Sequence, residues 1–334
     1  MSYIENKFSG LSMDRDRVIL SVLDNMVWPI LLAVILIFII LIPETFATYR
    51  NLEFLIYSSA ALGMIVLAEA ICLLSGNFDL SVGSIAGFSG MFTALLITQW
   101  MPGLGGIEGI IIILATGAFL GLLNGFSVSY LNVNPFLQTL AFFIIFRSAV
   151  TMLSTRSISG LPEVYTYFGG GTIFSIPVAI VFVIAFYGLV WFWLNNMRSG
   201  LAVYSIGGDE ESAAEAGINT NLMVLVVFVI SGTLSALGGL LYTGYLGAAT
   251  TTLAQNTVFP AFAAAVIGGI SLKGGRGNVL NVFGGVLLLA TVEAGLVMMR
   301  VQATMVNTIN GIILLLAILL FTFGERYRRR MLNS

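Results

Sequence analysis

The sequence predicts an all-α integral membrane protein with about ten transmembrane helices, of which one or two are broken or re-entrant. Of its 334 residues, 58% are hydrophobic and only 9% are charged, whereas a soluble globular domain is typically about 25% charged. Apolar runs of about 20 residues recur along the chain, and each is long enough to cross about 30 Å of hydrocarbon. Because backbone polar groups in lipid must be satisfied internally, these runs are expected to be helices.

Ten apolar segments are predicted to span the membrane. They lie at 26–42, 55–74, 78–99, 107–131, 135–153, 173–194, 222–246, 258–270, 279–297 and 304–323. The third begins in a polar stretch and the eighth is the shortest, so these two are the candidates for a broken or re-entrant helix. A single transmembrane domain is therefore expected at 26–323, between a cytoplasmic amino-terminal segment at 1–25 and a basic cytoplasmic tail at 324–334.

The basic residues predict the orientation in the cell (inner) membrane. With ten spans and the amino terminus inside, only Arg50, Arg156 and Arg300 lie outside, and Arg147 lies within a span. The other ten of the 14 Lys and Arg residues lie on the cytoplasmic side. Because cytoplasmic segments of membrane proteins carry the excess of positive charge, this distribution predicts that both termini are cytoplasmic.

Composition argues against an enzyme. The chain contains no histidine and a single cysteine, Cys72, and histidine is both the commonest metal ligand and the usual proton carrier at neutral pH. No nucleophile–base pair or metal-ligand cluster is visible, so neither catalysis nor a metal or other cofactor is expected. The net charge of −2 gives no indication of nucleic-acid binding.

Four ionisable residues lie within the predicted spans: Glu69, Asp79, Arg147 and Glu293. Such residues are costly in lipid and usually face a cavity or a partner. Three interpretations are open. The acids could relay protons or ions, the same groups could accept hydrogen bonds from a polar solute, or Arg147 could form a structural ion pair with one carboxylate.

A polar stretch, SGNFDLSVGS at 75–84, interrupts the apolar sequence between the second and third spans. Asp79 or Ser81 can cap the helix that follows, and the glycines permit an irregular backbone. Irregular backbone at membrane depth is tolerated only where it is buried or lines a water-filled cavity, and helix breaks in transporters often mark the solute route. The candidate solute-pathway residues are Glu69, Asn77, Phe78, Asp79, Ser81, Arg147 and Glu293.

The longest cytoplasmic loop, 195–221, contains a short helical pattern. Asp209 is a suitable N-cap followed by acids in the first turn, and Gly217 is a suitable residue to end the helix. Two interpretations remain: a connector between spans, or a docking element for a soluble partner.

Glycines at 117, 121 and 125 are each four residues apart. On one helix this spacing places small residues along one face and lets a neighbouring backbone approach closely. The pattern therefore predicts a tightly packed helix pair.

Four segments resemble the permease subunits of ribose-type sugar ABC importers. They are SGNFDLSVGS at 75–84, NPFLQTLAFFIIFRSA at 134–149, IGGDEESAAEAGI at 206–218 and IGGISLKGGRG at 267–277. They occur in the order found in that family, and the similar region extends from about residue 55 to 323. The sequence departs from the family pattern at Ala141 and Ser148, where glycine is common.

The resemblance implies a transport subunit that forms a pathway for a monosaccharide or related small polar solute. The implied partners are ATP-binding subunits, a second identical or paralogous permease, an extracytoplasmic substrate-binding protein and the lipid bilayer. The residues implied to contact the ATP-binding subunit are Gly207, Gly208, Asp209, Glu210, Ala213, Ala214, Gly217 and Ile218. The alternative is a proton-coupled secondary transporter that uses the intramembrane carboxylates.

Overall fold

A computed structural model describes residues 25–302, 304–306, 308–316 and 318–319. The expectations for the amino-terminal segment, the end of the tenth span and the basic tail lie outside the described residues. Within them, seven helices are long and apolar enough to cross a membrane. They are α3 (Tyr49–Leu74), α4 (Val82–Leu95, extended by a π-helical turn at Leu96–Trp100), α5 (Gly106–Ser129), α6 (Pro135–Leu153), α8 (Val178–Asn196), α11 (Thr220–Leu246) and α13 (Val279–Met298).

Shorter elements connect or flank these seven. The helices are α1 (Val27–Leu41), α2 (Pro43–Phe46), α7 (Glu163–Gly170), α9 (Arg198–Gly208), α10 (Glu210–Glu215) and α12 (Val258–Ile267), and an apolar helical stretch runs from Thr304 to Leu316. Four two-residue strands, β1 (Ile158–Ser159), β2 (Thr172–Ile173), β3 (Ile176–Pro177) and β4 (Ala248–Ala249), form two antiparallel pairs, β1 with β4 and β2 with β3.

The structure confirms an all-α, multi-pass membrane protein, but its seven long helices are fewer than the ten predicted spans. The seven correspond to the second to seventh and the ninth predicted spans. The eighth, α12, has ten residues and is about 15 Å long, half of the hydrocarbon thickness. It ends at Gly268, and Gly269 follows with φ +86°, a conformation that stops a helix.

Asparagine side chains set the starts of three long helices. Asn134, Asn219 and Asn278 each occupy the N-cap position of α6, α11 and α13, and each side chain accepts a hydrogen bond from a backbone N–H of the first turn. These bonds satisfy backbone donors that have no partner within the helix, which is why the helices begin there.

Helices α3 and α11 form the centre of the bundle, and α6 lies at its edge. Within an apolar 18-residue stretch of each helix, 78% of the α3 residues are buried inside the protein, compared with 17% of the α6 residues. The predicted close pair is α5 with α11: Gly121 faces the Phe228 carbonyl so closely that a Cβ would overlap it, and Gly117 and Gly232 are in similar mutual contact. The small-residue face thus brings two backbones together, as the spacing predicted.

Candidate functional site

The polar stretch after α3 is a non-helical break of about seven residues. Gly76 has φ +80°, and the Asn77 backbone N–H donates to the Cys72 carbonyl at 3.0 Å, which turns the chain back toward the bundle. Helix α4 starts only at Val82, four residues later than the predicted span. The Asn77 side chain donates to the Ser75 carbonyl (3.2 Å) and hydroxyl (3.0 Å), so it stabilises the break locally.

Asp79 is fully buried at the centre of a hydrogen-bond network. One carboxylate oxygen accepts from the Ser81 backbone N–H (3.0 Å) and from the Ser81 hydroxyl, and the other accepts from the Ser231 hydroxyl (3.0 Å). The Asn124 amide donates to the Ser81 hydroxyl oxygen at 2.8 Å. Asp79 therefore joins the break to α5 and α11, and its carboxylate satisfies three donors that would otherwise be buried without partners.

The network corrects one expected detail. Ser81 stands at the N-cap position of α4, but its side chain makes no capping bond to the helix. Its hydroxyl instead donates to Asp79 and accepts from Asn124. Ser81 therefore connects neighbouring helices rather than capping its own.

Helices α6 and α12 close the break from its other sides. The Leu80 backbone N–H donates to the Thr139 hydroxyl oxygen at 3.1 Å, so an α6 side chain satisfies a donor in the break. The Phe78 ring stacks on Phe262 of α12, with 5.8 Å between ring centroids. Thr139 and Phe262 were not among the predicted site residues, because only the folded chain places them beside this segment.

Glu69, one turn and a half before the end of α3, is 2% exposed. Neither of its carboxyl oxygens has a hydrogen-bond partner among the described residues. Its carboxyl interacts electrostatically with Asp79, so two acids share one buried region.

Arg147 lies elsewhere, on the exposed side of α6. Its guanidinium carbon lies 5.8 Å from the centroid of the Phe143 ring. The Gln255 amide is oriented so that its oxygen, rather than its nitrogen, faces the Arg147 guanidinium. In this orientation Gln255 Oε1 accepts from Arg147 Nε at 2.9 Å and also from Nη2. The partner of Arg147 is thus an amide, and the ion pair considered from the sequence is replaced by this contact.

An open groove of about 420 Å³ surrounds this arginine. It is lined by Phe143, Ile144, Arg147, Ser148, Thr151, Thr251 and Gln255. A narrow extension beneath it reaches Gly83, Ser84 and Gly87 of α4. The groove therefore lies between α6, the first turns of α4 and the non-helical segment that precedes α12.

Glu293 lies in a third place, exposed on α13. The structure thus brings Asn77, Phe78, Asp79 and Ser81 together with Glu69, and it separates Arg147 and Glu293 from them. Residues such as Asn124, Ser231 and Gln255 complete these sites; in sequence they are ordinary polar residues of apolar segments, without a spacing that singles them out.

Helix α10 begins after the predicted N-cap, Asp209, and ends just before the predicted glycine, Gly217. The Asp209 carboxylate accepts from the Ser212 backbone N–H at 2.7 Å, and this bond lowers the pKa of the Asp209 carboxyl below its usual value. Gly217 has φ +85° and its N–H donates to the Ala214 carbonyl, while the Ile218 N–H donates to the Ala213 carbonyl. This pair of bonds is the Schellman arrangement that ends a helix.

The eight residues predicted for docking differ in exposure. Gly208, Asp209, Glu210, Ala214 and Gly217 are exposed, Ile218 is half-buried, and Gly207 and Ala213 are buried. Ala213 packs in the main hydrophobic core of this chain together with residues of α11. The apolar face of α10 therefore anchors the helix to its own chain, and the acidic face is free.

A glycine junction, formed by Gly76, Gly207, Gly274 and Gly275, joins the last turn of α9, just before α10, to the break. The Gly275 N–H donates to the Leu74 carbonyl at 2.9 Å. A Cβ at Gly207 would overlap the same carbonyl, and one at Gly274 would lie 2.7 Å from the Gly76 Cα. Three separate chain segments meet here backbone to backbone, which side chains would prevent.

Comparisons with known proteins give a consistent result. A family model described as a branched-chain amino acid transport system permease component matches residues 51–320. The D-allose transport system permease protein of Escherichia coli (strain K12) is 33% identical over 87% of this chain and 89% of its own length. The ribose import permease protein of Bacillus subtilis (strain 168) is 31% identical over 86% of this chain and 90% of its own length.

The galactose/methyl galactoside import permease protein of Escherichia coli (strain K12) is 30% identical over 87% of this chain and 92% of its own length. No solved structure matches the chain. The matched region contains the break, the groove and α10, so all three features lie within the similar part.

Proposed function

The chain belongs to the family of permease components of branched-chain amino acid transport systems, and on that premise we propose that it is the membrane subunit of an ATP-driven monosaccharide importer. The proposal that the solute is a monosaccharide rests on one observation. The family description names branched-chain amino acids, but the D-allose, ribose and galactose permeases match this chain over nearly its full length. A membrane bundle with buried hydroxyl and amide groups is also suited to a neutral polyol.

The proposal includes ten membrane crossings with both termini in the cytoplasm. The positive-inside distribution supports an even count. In this arrangement α1 and the stretch from Thr304 to Leu316 are the first and last crossings. The eighth crossing combines α12 with the non-helical residues before it, so α12 is a broken helix.

The proposed partners are two ATP-binding subunits, a second permease and an extracytoplasmic substrate-binding protein. The ATP-binding subunit would supply ATP hydrolysis and contact the exposed acidic face of α10. The glycine junction supports this role, because it connects the end of α9, which leads directly into α10, to the start of the break at Gly76. Movement of α10 would then displace the break without compressing flexible side chains.

Replacing the exposed Ala214 by arginine tests the docking face. Ala214→Arg should abolish co-purification with the ATP-binding subunit, because a long side chain separates the two surfaces while the buried face of α10 is unchanged. Asn196→Arg, an exposed change at the end of α8 on the same side, is the matched control and should co-purify normally. If both variants co-purify normally with the ATP-binding subunit, α10 is only a connector between two membrane-spanning helices.

Reconstituted vesicles test the importer itself. We expect uptake of at least one of D-allose, D-galactose and D-ribose to require ATP, the ATP-binding subunit and the binding protein, and to persist with a protonophore. Uptake by this chain alone, driven by a pH gradient, would instead establish the alternative, a proton-coupled carrier. The buried acids Glu69 and Asp79 favour that second candidate as the groups that could carry protons.

Asp79→Asn separates the two candidates further. The amide keeps an acceptor for the Ser81 backbone N–H, so an ATP-driven importer should retain partial uptake. In a proton-coupled carrier the same change removes a titrating group, and the dependence of uptake on the pH gradient should disappear.

A further inference from the structure

The groove around Arg147 lies along the membrane-spanning helix α6, away from both of its ends. Arg147 is twelve residues after the start of α6 and six before its end, about 18 Å and 9 Å along the helix axis. The opposite wall is formed by the first turns of α4: a Cβ on Gly83 would lie 2.9 Å from the Ala254 carbonyl and one on Gly87 would lie 2.7 Å from the Leu253 carbonyl. The segment 251–256 therefore packs against the first turns of a membrane-spanning helix.

This segment is irregular backbone at membrane depth. Residues 251–256 form consecutive turns, and Ala254 has φ +53°, an uncommon conformation for a residue with a Cβ. Non-helical backbone in the hydrocarbon region persists only where it is buried in protein or lines a water-filled cavity, and a strained residue there suggests a functional constraint. Leu253 and Ala254 are buried, and Thr251 and Gln255 line the groove.

The groove combines one aromatic ring with several hydrogen-bonding groups. Ser148, Thr151 and Thr251 supply hydroxyls that donate and accept, and Gln255 supplies an amide. Its volume of about 420 Å³ lies within the usual range of small-molecule sites, roughly 300–1,000 Å³. An exposed arginine at this depth is costly against lipid, so the groove is best accounted for by water and a polar occupant.

The distribution of hydrogen-bonding groups in the lining suits a neutral polyol. A guanidinium carries five N–H groups. Gln255 accepts from Arg147 Nε and Nη2, so the donors that remain for a solute are the N–H groups of Nη1 and one of Nη2. Single donors and hydroxyls distributed around a ring-sized space match the hydroxyls of a sugar, and the Phe143 ring provides an apolar wall for a sugar face.

We propose that Phe143, Arg147, Ser148, Thr151, Thr251 and Gln255 form a monosaccharide-binding subsite within the translocation pathway. This inference rests on the proposed function and adds to it the residues that hold the solute in transit. The buried Asp79 network is then a structural support of the pathway wall rather than a direct solute contact.

Cysteine labelling tests the subsite, since the native Cys72 is fully buried. In the reconstituted complex, a membrane-impermeant methanethiosulfonate should modify Ser148→Cys, and the transported monosaccharide should slow that modification several-fold. Ile145→Cys is the matched control: it is exposed on α6 but does not line the groove, so it should remain unmodified. An unreactive Ser148→Cys, or modification at a rate that the sugar does not change, would overturn the subsite.

Gln255→Ala provides a second measurement. Loss of a groove amide should raise the apparent KM for the sugar about tenfold, whereas Ile145→Ala, an exposed change on α6 outside the groove, should leave the KM within about twofold of that of the unmodified complex. An unchanged KM would contradict the subsite while leaving the importer intact. If the unmodified complex transports none of the three sugars, the proposed function itself fails, and the subsite falls with it.

Discussion

At the scale of single residues, Asp79 has the clearest physical role. Its carboxylate accepts from two groups of Ser81 and from Ser231, and it is fully buried. The function of this carboxylate as an acceptor does not depend on contact with solute. Its substitution should therefore affect folding before it affects specificity.

Asp79→Ala should destabilise the permease strongly. Three buried donors would lose their acceptor, and each costs about 1–3 kcal/mol when it is left unsatisfied. Asp79→Asn should be much milder, because its amide oxygen still accepts one bond and the Ser231 hydroxyl can rotate to accept from the amide nitrogen. Thermal unfolding in detergent measures both; an Asp79→Ala protein as stable as the unmodified one would contradict this account of the network.

At the scale of secondary-structure elements, α10 depends on its N-cap residue, Asp209. The Asp209 carboxylate has a lowered pKa because the Ser212 N–H donates to it. Its stabilising contribution is therefore complete above the ordinary aspartate pKa of about 4 and is lost as the pH falls through the lowered pKa of the folded state. Asp209→Ala should speed hydrogen exchange across 210–215 at neutral pH, since the cap is absent at every pH.

Asp209→Ser is the matched variant for this cap. Serine also caps helices but does not titrate in this range, so the protection of these amides, relative to the intrinsic exchange rate at each pH, should stay the same on acidification. In the unmodified protein acidification should lower this protection. Equal acid sensitivity of the serine variant and the unmodified protein would assign the effect to another group.

The α5–α11 contact offers a second prediction at this scale. Gly121→Ala places a Cβ against the Phe228 carbonyl, so the two helices must separate, at a cost of about 1–3 kcal/mol. Gly188→Ala is the control on α8, where no atom lies within 4 Å of the added Cβ. It should be neutral or slightly stabilising because alanine favours helix. Thermal unfolding midpoints of the two variants measure the difference in stability. Similar midpoints for Gly121→Ala and Gly188→Ala would disprove the close backbone contact between α5 and α11.

At the scale of the whole molecule, the orientation is the main open prediction. An even number of crossings puts the carboxy terminus in the cytoplasm, as the arginines near the end of the sequence also favour. Alkaline phosphatase, which is active only outside the cytoplasm, should therefore remain inactive when fused after Ser334. The same reporter inserted after Ser159, between α6 and α8, should be active. Activity at Ser334 would require an odd count and a different path for α12.

The sequence by itself determined the class of protein and most of its helices. Long apolar runs require helices in lipid whatever their neighbours, and local signals such as Asn134 before Pro135, or Asp209 with Gly217, fix helix ends through bonds within a few residues. These features are local, so they can be read from one segment at a time. The seven long helices and both ends of α10 follow from them.

Only the tertiary structure decided which polar residues meet. Asp79 and Ser231 are 152 positions apart, and Arg147 and Gln255 come from different elements. Lipid-facing and protein-facing helices have similar apolar compositions, so hydropathy does not distinguish buried α3 from exposed α6. The same limit applies to α12, whose length depends on how residues 251–257 pack against the glycines of α4 rather than on their own preference for helix.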